Sequence, residues 1–81
     1  MYVTVRGKRR RLDYVRMVKD DGRCEPNGDM QVRSSLKGKA RLEAEVHELM
    51  HACHWDLAEE AIDETAQTLT EALWKIGYRM P

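Results

Sequence analysis

Two cysteines, Cys24 and Cys53, in 81 residues are too few for the disulfide framework of a small secreted protein. Each reads instead as a small buried thiol in a reducing compartment. No run of about 18 apolar residues is present, which excludes a membrane-spanning helix. The segment Met1-Tyr2-Val3-Thr4-Val5-Arg6 has no signal-peptide apolar stretch, so a cytoplasmic protein is expected. Repeats, low-complexity tracts and long linkers are missing as well, leaving one domain, 1–81. A chain this short buries only about 60% of its unfolded surface, so a bound metal is worth seeking as a source of stability.

Net charge is also lacking, because 14 Lys/Arg balance 14 Asp/Glu. The balance is uneven along the chain: residues 1–41 hold 12 basic and 5 acidic side chains, and residues 42–81 hold 2 and 9. A basic part, 1–34, therefore precedes an acidic part, 35–81. The run Lys8-Arg9-Arg10-Arg11 fits weak contact with nucleic acid, and fits equally a solvated turn beside acidic helices.

The basic part reads as strands. Tyr2, Val3 and Val5 form a β-prone run ended by Gly7-Lys8, and Leu12 to Val18 form a second, ended by Asp20-Asp21-Gly22. Arg23 to Asp29 reads as turn, after which Met30-Gln31-Val32-Arg33 alternates like a half-buried strand. Ser34 and Ser35 offer N-caps for a helix from about Leu36 to His54, with Gly38 weakening its first turn. Its apolar face, Leu42, Val46, Leu49, Met50 and Cys53, is expected to meet the sheet, with the histidines on another face beside Ala40 and Ala44. Asp56-Leu57-Ala58-Glu59 has capping-box spacing, so a second helix should begin with Asp56 as N-cap. Its stripe of Ala58, Ala61, Ile62, Thr65, Ala66, Leu69, Ala72, Leu73 and Ile76 reads as core, and Gly77 should stop it. The expected fold is α+β: a three-stranded antiparallel or mixed sheet followed by two packed helices.

His47-Glu48-Leu49-Met50-His51 is an HExxH sequence lying inside the first of these helices. At i and i+4 both imidazoles project from one face and can reach one zinc at about 2.0–2.1 Å. Glu48, about 100° round the helix, stands beside the metal and is placed to take a proton from its water. A catalytic zinc takes three protein ligands, and Glu59, His54, Asp56 and Glu60 are candidates for the third. Geometry favours Glu59, on the border of the second helix's apolar stripe. In a continuous helix it would lie about 12 Å from His51, so a turn is required near Trp55-Asp56. His54 is the second choice, and would need the helix to bend. Asp63, four residues after Glu59, is placed to hold a ligating histidine by a hydrogen bond.

These residues resemble the small zincin metallopeptidases, above all the short ones encoded by bacteriophages, which are similar to SprT-like domains. Glu59-Glu60-Ala61-Ile62-Asp63-Glu64-Thr65-Ala66 looks like the Glu-x-x-x-Asp-x-x-Ala helix of gluzincins, and Gly22-Arg23-Cys24 before Met30 to Ser34 is similar to the SprT-like turn and edge strand. The resemblance implies zinc ligands His47, His51 and Glu59 with Glu48 as general base. It also implies that Met30, Gln31, Val32 and Arg33 form the edge strand on which a peptide substrate would lie.

A zinc peptidase is the leading expectation. The alternative is a non-catalytic interaction module stabilised by zinc, associated with nucleic acid through its basic half. Tyr78 or Arg79 is a candidate to steady an oxyanion if the tail folds back. Trp55 and Trp74 read as core or junction residues, and Glu60, Glu64 and Glu71 as a solvated face.

Overall fold

In a computed structural model, which describes residues 1–79, strand β1 (Tyr2–Val5) turns directly into β2 (Lys8–Val15). Two residues, Arg6 at φ 51° and Gly7 at φ 81°, make the turn. Positive φ at both positions matches the right-handed twist of the paired strands, and the expected hairpin forms.

The remaining strands are β3 (Gly22–Cys24) and β4 (Met30–Arg33), and the sheet order is β1-β2-β4-β3. The sheet therefore has four strands, not three. Gly22 to Cys24, the start of what reads as a turn, pairs antiparallel with β4, Cys24 opposite Met30. Because β4 also pairs in parallel with β2, Leu12 opposite Met30, it is an interior strand. Met30 to Arg33 is thus not the edge along which a peptide could add; the two edges are β1 and β3.

Strand alternation divides the sheet into two unlike faces. One carries Val3, Val5, Leu12, Met30 and Val32, which form the core with Ala44 of the first helix. The other carries Tyr2, Arg9, Arg11, Arg23 and Arg33, and no helix packs on it. The run Lys8 to Arg11 is thereby split. Arg9 and Arg11 flank the Tyr2 ring at 4.0 and 5.2 Å, whereas Lys8 and Arg10 face the opposite way.

Helix α1 (Gly38–Cys53) lies on the sheet, and α2 (Glu59–Ile76) packs on α1 alone. Lys39 pairs with Glu71, His47 with Asp63 and His51 with Glu59, so the helices run antiparallel. Neither start is the expected one. Gly38 adopts φ 58°, which delays α1 until after Lys37, and Ser35 Oγ accepts a bond from Arg33 Nε instead of capping. Ala58, not Asp56, is the N-cap of α2, and no side chain caps it. Glu59 is the first residue of the helix and its carboxylate faces the histidines, so it cannot close a capping box. At the other end Gly77, at φ 111°, takes the left-handed position expected of it.

Burial on the helices also departs from the apolar pattern. On α1 the buried residues are Ala44 and Glu48, and Leu49, Ala52 and Cys53 pack on the core beside Ala44, while Ala40 stays exposed. On α2 only Ile62, Ala66 and Thr70 are buried; Leu69 and Ile76 are exposed, as are Ala58, Ala61 and Ala72. A helix leaning on a single neighbour buries one narrow line of side chains. Trp55 is likewise exposed, whereas Trp74 is half-buried over Gly38. Cys24 and Cys53 are free and half-buried, and no described helix is long and apolar enough to cross a membrane.

Thr70 is 1% exposed and its Oγ1 has no hydrogen-bond partner among the described residues. Replacing it with Val removes a buried, unsatisfied hydroxyl at nearly constant shape. The Thr70→Val protein is expected to gain about 1 kcal/mol, read from its urea midpoint.

Candidate metal centre

The turn through Trp55 to Leu57 brings the first turn of α2 back beside the C-terminal half of α1, as the spacing required. His47 and His51 are one turn apart on α1, and Glu59 arrives from α2 to face both. Nε2 of His47 lies 3.2 Å from Nε2 of His51 and 3.1 Å from Oε1 of Glu59, and Nε2 of His51 lies 3.1 Å from Oε2 of Glu59. Three ligand atoms thus converge from two helices. The two histidines face different oxygens of the carboxylate, and one ligand atom from each residue lies within 4.8 Å of the others, a span that a metal could gather.

On the other side of the ring, Nδ1 of His47 lies 3.2 Å from Oδ1 of Asp63, close enough for that carboxylate to orient the imidazole. The donor set of two imidazoles and one carboxylate is one that zinc accepts with a fourth position left over.

Glu48 projects to the side, into the junction of α1 with β3. It is 5% exposed and makes no hydrogen bond or ion pair with any described residue. Burial raises its carboxyl to about 7, opposed by His47 and assisted by Glu59 and Asp20. Burial, with Glu48, Glu25 and Asp29 nearby, also pushes the Cys24 thiol up to about 11, which keeps it protonated and unfit as a metal ligand.

Comparison with family models, curated proteins and solved structures finds no match to the chain.

The site therefore rests on its own geometry, which gathers His47, His51, Glu59 and Asp63 with Glu48 beside them. It leaves out two further candidates. His54 is the exposed C-cap of α1, its N–H held by the Met50 carbonyl, and is outside the ligand group. Tyr78 is exposed at the far end of the helix pair, near Lys37 and Trp74, and Arg79 stacks on Trp74 at 3.5 Å. Neither reaches the cluster, because the tail continues past the end of α2 that is remote from Glu59.

Gly22 has a role that sequence reasoning missed. A Cβ there would stand 2.6 Å from Oε2, 2.8 Å from Cγ and 3.0 Å from Cδ of Glu48. A side chain at this position would force the Glu48 carboxylate out of its place between β3 and α1. No local signal announced it, because β3 becomes a strand only by pairing with β4. Gly22→Ala is expected to cost about 1–3 kcal/mol of stability. In a Glu48→Ala background the same change should cost much less, a coupling that a double-mutant denaturation cycle measures.

Proposed function

We propose that the protein is a minimal zinc-dependent peptidase acting in the cytoplasm, of the zincin type that its HExxH helix resembles. The observation that carries this reading is the convergence of His47, His51 and Glu59 with an unpartnered, buried Glu48 at their side. Zinc bound by these residues would supply Lewis acidity at a peptide carbonyl and make water a nucleophile near neutral pH. His47 and His51 direct Nε2 toward Glu59, and the Asp63 carboxylate beside Nδ1 would help to orient His47. Glu48 takes the proton of the attacking water and returns it to the leaving amine. Since β4 is interior, an extended substrate would add to the free edge of β3, where Gly22 touches Glu48. The test is cleavage of a peptide library by the zinc-loaded protein and by its Glu48→Gln variant.

A second reading draws on the uncovered sheet face. Arg9, Arg11, Arg23 and Arg33 share it with exposed Tyr2, and a non-catalytic, zinc-stabilised module would use it to hold nucleic acid. Asp13 and Asp21 pair with Arg11 and Arg33 and weaken this field. On this reading, affinity for DNA falls steeply between 50 and 200 mM salt, in a titration where about −0.9 of log-log slope reports each phosphate contact. Affinity indifferent to salt would exclude it.

A further inference from the structure

Beside the ligand group a cavity of about 340 Å³ opens between α1, α2 and the loop before β3. Its charged lining is Asp20, Asp21, Glu43, Glu48, Glu59 and Asp63, and no lysine or arginine lines it. Ala40, Ala44 and Ala66 leave the space free of bulk. Part of this charge is already engaged: Glu59 and Asp63 with the histidines, and Asp21 loosely with Arg33 at 3.7 Å. Asp20 and Glu43 have no ion-pair partner among the described residues, and Glu48 lines the cavity nine-tenths buried and unpartnered.

We infer that this cavity is the specificity pocket of the proposed peptidase and receives a lysine or arginine side chain of the substrate. The inference rests on the peptidase reading and adds the substrate class to it. A bound zinc would offset Glu59 and one further carboxylate, and with Asp63 beside His47 and Asp21 beside Arg33 this leaves Asp20 and Glu43 in excess along the wall. A long, flexible cation can lay its methylenes on the alanines and carry its charge to those carboxylates. A neutral side chain would leave them uncompensated, and an acidic one would be repelled.

The experiment uses zinc-loaded protein and end-blocked peptides that differ only in Lys, Gln or Glu at one position, moved stepwise along the peptide. Binding is read by calorimetry and cleavage by mass spectrometry. At one position Lys should bind about tenfold better than Gln, and Glu worst. Glu43→Lys should reverse that order, while Glu60→Lys, the same change on an exposed residue outside the cavity, should leave it intact. Equal binding of the three peptides at every position overturns the inference. So does an order that Glu43→Lys and Glu60→Lys alter alike, since that would report only the acidity of the helical half. Peptides bound in the expected order but never cut would overturn the peptidase reading and keep the pocket. Cutting indifferent to charge would do the reverse.

Discussion

Glu48→Gln is expected to lower peptide cleavage by about 10²- to 10⁴-fold while zinc stays bound. The substitution keeps the shape of the side chain and removes its ability to accept a proton. It breaks no hydrogen bond or ion pair with a described residue, because Glu48 makes none despite being 5% exposed. Loss of a poorly solvated charge costs the fold nothing, so the melting temperature should hold or rise. That separates a catalytic defect from a folding defect. Gly22→Ala should weaken cleavage through the same group, by displacing Glu48 and not by altering its chemistry. Full cleavage by the zinc-loaded Glu48→Gln protein would remove the general-base role. No cleavage by either protein, with zinc still holding the helices together, would favour the non-catalytic module.

The features legible in the sequence are those set by local geometry. Gly7 at its hairpin turn, Gly77 past the end of α2, and the i, i+4 spacing of His47 and His51 each act within a few residues. Glu59 and Asp63 were legible for the same reason, once the turn at Trp55 was granted. What escaped depends on partners distant in the chain. The three residues of β3 are too few for alternation to declare a strand, and they become one by pairing with β4. The parallel pairing of β2 with β4 moves Met30 to Arg33 from edge to interior, and no property of those four residues announces it. Glu48 shows the limit from the other side. An apolar count places Leu49 and Cys53 against the sheet, where they pack, and misses that Ala44 and Glu48 are the most buried residues of α1, with Glu48 lying against Gly22. The same dependence explains the overestimated stripe on α2, since Leu69 and Ile76 would be core only if a second element covered them.

Zinc is expected to stabilise the protein by about 2.7 kcal/mol when free metal stands at 100 times its dissociation constant. For a domain of this size, each 1 kcal/mol moves the melting temperature by about 4–8 °C, so chelation should lower it by roughly 10–20 °C. The effect should fall unevenly on the fold. The sheet and α1 share the core of Val5, Leu12, Met30, Val32 and Ala44, whereas α2 holds to α1 through Ile62, Ala66 and Thr70 and touches no strand. A metal held by His47, His51 and Glu59 would tie down the first turn of α2, which has no side-chain cap of its own. Chelation should therefore speed amide exchange in 59–76 more than in β2 or β4. His51→Ala and Glu59→Gln should abolish the zinc-dependent rise in melting temperature, and His54→Ala should preserve it. A rise that survives Glu59→Gln and vanishes in His54→Ala would transfer the third ligand to the exposed end of α1. The metal would then no longer couple the two helices.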